Sequence, residues 1–227
     1  MNNEISSKLN DFFSQFPSFS YQKNEVILRA EDTPQGVYFV KNGYIRLYML
    51  SLDGRELTFN IFKPGSFFSM MWAISNLPNS FYFQAMTEVD LYRAPKDKLV
   101  AHLKSNPDAL FDLTQRILSG MDGLIAQMEF LLFGNAATRV ISTILTSAKR
   151  FGEKNGNGDI KIKLPLTHQE IANIAGLTRE TTSLEMKKLE NEKLIDHEKK
   201  FIIVKNLPKL EAELETRSVE EPIPYVF

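Results

Sequence analysis

The stretch Leu166 to Ile195, LTHQEIANIAGLTRETTSLEMKKLENEKLI, limits what this chain can fold into more than any other. It predicts two short helices joined by a tight turn. Thr167 stands at a helix cap, and Glu170 three residues on completes a capping box. The first helix runs to about Ala175. Gly176 then supplies a residue that tolerates positive φ. Leu177 buries the corner, and Thr178 caps the second helix. Ile171, Ala172, Ile174, Ala175, Leu177, Thr182, Met186 and Leu189 form an inner face. Arg179, Glu180, Thr181, Ser183 and Lys187 are left outward at the start of the second helix, where a major-groove helix meets base edges. Arginine pairs bidentately with guanine, and glutamate accepts from the cytosine amino group. An ordinary helical hairpin is the competing reading.

Charge follows the same segment. The net charge of the chain is −1, but residues 135–210 carry 14 Lys/Arg against 9 Asp/Glu. Residues 1–134 carry 12 against 14, and the last 17 residues carry 1 against 5. The basic surplus thus lies where phosphate contact requires it. There is no cysteine, which excludes disulfides, thiolate metal sites and cysteine-held clusters. No apolar run reaches membrane-spanning length, and MNNEISSKLNDFF is no signal peptide. A cytoplasmic protein with no membrane partner is expected. With 227 residues there is room for two cores.

Between residues 20 and 100 the pattern is β. Runs at Glu25–Ala30, Gly36–Lys41, Gly43–Leu50, Glu56–Phe62, Phe81–Ala85 and Val89–Pro95 are punctuated by Gly36, Gly43, Asp53-Gly54 and Pro64-Gly65. Evenly spaced short strands point to a sandwich or a small jelly-roll barrel. From Asp108 to Phe133 the period becomes helical. Leu110, Thr114, Ile117, Met121, Leu124, Met128 and Leu131 alternate steps of four and three, a heptad seam with one polar member. The seam favours a parallel dimer helix over a helix packed only on its own barrel. Gly120 and Gly123 weaken that helix by about 1 kcal/mol each relative to alanine, and permit another backbone to approach. A second helix, Ala136–Phe151, leads through the loop Gly152–Gly158 to a short strand, Ile160–Leu164.

Gly36-Val-Tyr-Phe-Val-Lys-Asn-Gly43, Asp53-Gly-Arg-Glu-Leu57, Pro64-Gly-Ser-Phe67 and above all Leu166–Ile195 carry a resemblance. Over residues 15–210 the chain resembles the cyclic-AMP receptor protein/FNR family of bacterial transcription regulators. The resemblance implies an α+β chain: an N-terminal double-stranded β-helix (jelly-roll) barrel, a long dimerisation helix and a C-terminal winged helix-turn-helix. It implies segments at 1–106 for the sensing barrel, 107–134 for the dimer helix, 135–210 for the DNA-binding domain and 211–227 for an acidic tail. Its partners would be double-stranded DNA, a second copy of the chain, and RNA polymerase. Phe201-Ile-Ile-Val204 would be the wing strand, with Lys199 and Lys200 at its turn reaching phosphate. Thr167, His168 and Gln169 would sit at the phosphate end of the first motif helix. The lysines are equally well read as a solvated hairpin tip.

Departures from the family pattern carry information too. Arg179 and Glu180 fall on the first two base-reading positions, but the third, usually arginine, is Leu184. Leucine meets a thymine methyl, not guanine, so the operator should differ from the family's best-known site. Glu185 falls where an apolar residue is common, so a shifted packing of this helix is expected. In cyclic-nucleotide sensors of the family a Gly-Glu pair holds the ribose and an Arg-Ser pair holds the phosphate. Here Ser69-Met70 and Asn79-Ser80 stand in those places. A phosphate buried without a cation is costly, so cyclic AMP is not the expected ligand; its binding would need a cation from elsewhere, Arg46 or Arg116, to complete the site. Phe67, Phe68, Ser69, Met70, Asn79, Ser80 and Tyr82 then form a candidate pocket for a small apolar effector. Phe59, Ile61, Met71, Trp72, Phe81 and Phe83 are grouped with them. Most of these residues read first as barrel core; the alternatives are that they line such a site, or that the pocket is filled and the protein constitutively competent.

Jelly-roll enzymes need about two or three histidines and a carboxylate converging inside the barrel. Only His102, His168 and His197 occur, far apart in the chain, and no phosphate loop or nucleophile elbow is present. The reading is a regulator and not an enzyme, with no cofactor and no metal. The alternative is a helix-turn-helix module that binds protein and not specific DNA.

Overall fold

The computed structural model describes residues 9–156 and 158–220. The first eight residues of the expected sensing segment, Asn157 of the expected loop, and residues 221–227 of the expected tail lie outside the described residues. The chain divides into two compact units, with the boundary between Asp122 and Gly123.

The first unit is built on two four-stranded antiparallel sheets. One orders β1 (Ser18–Tyr21), β8 (Val89–Ala94), β3 (Val37–Asn42) and β6 (Phe67–Phe68). The other orders β2 (Val26–Leu28), β7 (Tyr82–Ala85), β4 (Ile45–Leu50) and β5 (Glu56–Phe62). Only the β4–β5 hairpin stays within one sheet; every other connection between consecutive strands changes sheet. That is the winding of a jelly roll, as the turn spacing implied.

Strand alternation sends side chains to two cores. Tyr38, Val40, Phe68, Val89 and Leu91 of the first sheet meet Leu28, Ile45, Phe83 and Ala85 of the second. Val37, Phe39 and Ala94 point the other way, onto a helical layer. That layer comprises α1, of which residues 9–13 are described, α2 (Met70–Ser75), α3 (Lys96–Ser105) and the start of α4 (Pro107–Phe133). Phe13 stacks on Phe39 with ring centroids 5.0 Å apart. Strands β1 and β6 and helices α2 and α3 were not anticipated from sequence.

In the second unit α5 (Ala136–Phe151) is the hub. Its Val140, Ile141, Ile144, Leu145 and Ala148 are buried. Around it lie α6 (His168–Ala175), α7 (Arg179–Asn191) and α8 (Leu207–Glu220). A small antiparallel sheet orders β11 (Ile195–Glu198), β12 (Phe201–Val204), β10 (Ile160–Ile162) and β9 (Gly152–Lys154). The stretch read as a loop from Gly152 therefore begins with a strand. The boundary expected at 210/211 falls inside α8, whose Leu210 is fully buried.

Candidate nucleic-acid interface

The helix-turn-helix forms as its caps dictate. Thr167 Oγ1 accepts from the Glu170 amide at 3.2 Å, and Glu170 Oε2 accepts from the Thr167 amide at 2.5 Å. A cap of this kind stabilises by about 1 kcal/mol. Gly176 ends α6 at φ 63°. Thr178 Oγ1 accepts from the Thr181 amide at 3.1 Å and starts α7.

Thr182, Met186 and Leu189 of α7 are buried, as is Glu185. Arg179, Glu180, Leu184 and Lys187 are exposed, and Thr181 and Ser183 half-buried. Of the set expected outward, Arg179, Glu180 and Lys187 are exposed, while Thr181 and Ser183 are partly covered. Glu185 remains on the inner face with its Oε1 accepting from Lys188 Nζ at 2.7 Å. Its Oε2 is buried without a hydrogen-bond partner among the described residues, so the carboxylate is only half satisfied where it stands.

His168 opens α6 and His197 lies in β11. Far apart in sequence, their rings approach to 6.3 Å between centroids. His197 Nδ1 lies 2.8 Å from Glu190 Oε1 of α7. This pairing of wing strand with α7 was not legible in the residue order. Among the described residues no group of three or more His, Asp or Glu is placed to hold a metal.

The wing is the β11–β12 hairpin, with Lys199 at φ 57° in its turn. Its carboxylates are already engaged. The Lys161 ammonium, 2.6 Å from Glu198, holds that carboxyl below the usual range by hydrogen bond and charge. The His197 amide, then Lys205, does the same for Asp196. Lys199 and Lys200 are exposed, the latter's ammonium 5.6 Å over the Phe201 ring. The exposed lysines, His168 and the exposed Thr167 and Gln169 thus belong to the same unit as the N-terminal face of α7. Gln169 is tied to Asn173 at 2.8 Å.

The start of α4 packs the first unit through Ala109, Asp112 and Leu113. Its seam does not. Leu110, Ile117, Met121, Leu124 and Met128 are 38–55% exposed, Thr114 is exposed, and Leu131 half-buried. Phe111, Leu118, Ile125 and Leu132 form a second stripe, 59–68% exposed, at the same seven-residue spacing. Sequence reasoning missed it, although that spacing was the available signal. At Gly120 and Gly123 an added Cβ would meet nothing within 4 Å.

The candidate effector residues are not brought together. Phe67 and Met70 face the helical layer, beside Leu9, Phe13, Leu99, Leu103 and Leu113. Phe68 turns between the sheets, where it stacks on Tyr38 at 4.9 Å and on Phe83 at 4.6 Å. Tyr82 stacks on Tyr48 at 5.2 Å, on the strand face opposite Phe83. The Asn79 amide donates to Arg29 O at 2.7 Å and Phe81 O at 2.8 Å, so it staples a loop. Ser80 is exposed and Met71 is 57% exposed. The spare cations are committed as well. Arg46 holds Glu56 at 2.5 Å and Gln84 at 2.6 Å. Arg116 holds Asp112 at 2.6 Å and Gly65 O at 3.2 Å. Among these candidates Ser69 Oγ is buried and makes no hydrogen bond within the described residues, a condition it shares with Thr182 Oγ1 and Glu185 Oε2 of α7.

Residues 18–106 match the cyclic nucleotide-binding domain family, and residues 138–213 match the Crp-like helix-turn-helix domain. A global nitrogen regulator of Nostoc sp. is 30% identical over 191 residues, covering 82% of this chain and 83% of that protein. The chain is a Crp/Fnr-family transcription regulator. A cAMP-activated global transcriptional regulator CRP of Pasteurella multocida is 24% identical, covering 88% of this chain and 95% of that one. The structure of FixK2 from Bradyrhizobium japonicum superposes with a TM-score of 0.75 at 22% identity, over 86% of this chain and 96% of that one, which supports the fold. As a Crp/Fnr regulator the protein binds DNA sequence-specifically and acts as a dimer on a palindromic site. No helix among the described residues is long and apolar enough to cross a membrane.

Proposed function

We propose that α7 is the recognition helix, with Arg179, Glu180 and Leu184 reading base edges. Thr178, Thr181, Ser183 and Lys187 line the same groove. Thr167, His168, Gln169, Lys199 and Lys200 hold the phosphate backbone on either side. The observation that carries this reading is the split of α7 into a buried face and an exposed, cation-bearing N-terminal face. The seam of α4 joins two copies and sets their α7 helices about one helical turn of DNA apart, roughly 34 Å. RNA polymerase is the partner through which such a cytoplasmic regulator acts, and the chain has no catalytic role.

Arg179→Ala is expected to cost roughly 1–3 kcal/mol per half-site and to relax preference at one base position. Equal loss on selected and random duplexes, measured by fluorescence anisotropy, would make Arg179 a phosphate contact instead. Glu180→Ala should change sequence preference with little loss of non-specific affinity, because phosphate repels a carboxylate.

The barrel is proposed to answer to no cyclic nucleotide. From Phe67 to Phe83 there is no charged residue, and Arg46 and Arg116 are both ion-paired elsewhere. Releasing either to meet a phosphate would break an existing pair. A ligand of this uncharged stretch would be small, neutral and largely apolar, with Ser69 Oγ available to hydrogen-bond it. Calorimetric titration with cyclic AMP is expected to give no saturable heat at micromolar concentration. A micromolar Kd would overturn this part of the reading and leave the DNA-binding part intact.

A further inference from the structure

Beyond the winged motif, α8 lies against α5, anchored by the fully buried Leu210. Asn206 starts it, its Oδ1 accepting from the Lys209 amide at 2.9 Å. Lys149 of α5 meets Glu211 at 2.7 Å. One side chain of α8 reaches a different element. Arg217 Nη2 lies 2.7 Å from Glu192 Oε2, and its Nε lies 2.6 Å from Glu213 Oε1. The Arg217 side chain is only 16% exposed. Glu192 is the C-cap of α7. A carboxylate there faces the negative end of the helix dipole and is unfavourable unless countered. Arg217 supplies the counter-charge, through a rigid fork that holds direction as well as charge.

We propose that α8 is a strut for the recognition helix and that Arg217 is its positioning residue. It acts on DNA binding through Glu192 while touching no DNA. The lever is geometric. With 13 residues α7 spans about 18 Å, so a tilt of about 5° at its tethered end moves the base-reading end by about 1.5 Å. That displacement is enough to break bidentate hydrogen bonds, which need donor and acceptor near 2.9 Å. Non-specific phosphate contact tolerates it. The strut rests on the reading of α7 as the recognition helix, and it adds a residue that no base or phosphate role would identify.

The experiment is a double-mutant cycle in the full chain with Arg217→Gln and Glu192→Gln. The probes are the tightest duplex that the wild type selects from a random pool and a shuffled duplex of equal length. Each single variant should lose roughly tenfold on the selected duplex and less than about twofold on the shuffled one. The double variant should lose no more than either single one. Glu213→Gln, which removes only the partner within α8, should cost less than Glu192→Gln. Equal losses on both duplexes, or additive losses in the cycle, would overturn the strut, since Arg217 would then act on its own. A fall in melting temperature with an unchanged specificity ratio would overturn it as well. A wild type that selects no duplex would sink the recognition-helix reading itself, and with it the strut.

Discussion

Replacing Leu124 and Met128 together by aspartate is expected to turn the protein into a monomer that has lost sequence-specific DNA binding. Both side chains lie on the α4 seam, 38% and 55% exposed on the single chain. They are thus free to meet their mates across a two-fold axis. In the dimer each aspartate would face its like in a setting closed to water. Leaving such charges buried and unpaired costs several kcal/mol. Since 1.4 kcal/mol is tenfold in an equilibrium constant, dimerisation should weaken by at least about 100-fold. A single half-site contact cannot replace the pair, so affinity for the selected duplex should fall with it. The jelly roll should melt as before, because neither residue belongs to its cores. Sedimentation separates the outcomes. A double variant that remains a dimer, or a wild type that is monomeric with and without DNA, would refute the role given to α4.

The periodic parts of this chain were legible because their period alone decides them. The seam of α4, the inner face of α5 and the cap residues of α6 and α7 all fall where the sequence places them. Six strands bounded by glycine turns were legible for the same reason. β6 has only two residues, too few to alternate, and Ser18-Phe-Ser-Tyr21 of β1 alternates with too little apolar weight to stand out. Helix α2 breaks the usual start signals, since Ser69 enters it at φ 69° without a side-chain cap. The exposed residues of α7, Arg179, Glu180, Leu184 and Lys187, were legible because outward position on a capped helix follows from its inner face. The effector pocket was not. Phe67 and Phe68 are adjacent in sequence, but a strand sends neighbours to opposite faces, and one goes to the helical layer while the other goes between the sheets. The His168–His197 approach and the Arg217–Glu192 pair join separate elements, and no local pattern encodes such pairs.

The largest effect on folding of the DNA-binding unit is expected at Gly152, changed to alanine. Gly152 ends α5, its amide donating to Ala148 O, and in the same residue begins β9, opposite Ile162 of β10. Its φ of −85° and ψ of 144° are open to any residue, so the constraint is not torsional. It is contact: an added Cβ would land on Ala148 O and on Ile160 Cγ2, far inside van der Waals distance. The first is backbone of the hub helix and the second a buried β-branched side chain whose χ1 is restricted. Neither can swing aside. The strand must therefore lift from α5, and β10, β12 and β11 with the wing lysines are hydrogen-bonded to it in series. Overpacking of this kind costs typically 1–3 kcal/mol and sometimes more where backbone must move. We expect about 3 kcal/mol, which for a unit of this size is a drop of more than about 10 °C in Tm. Gly156→Ala is the matched control, because a Cβ there meets nothing within 4 Å. It should melt within about 2 °C of wild type. The measurement is thermal unfolding followed by circular dichroism, with anisotropy on the selected duplex below the transition. If Gly152→Ala melts with the control, then the α5–β9 junction has slack that the close approach denies, and the wing is not held by that contact.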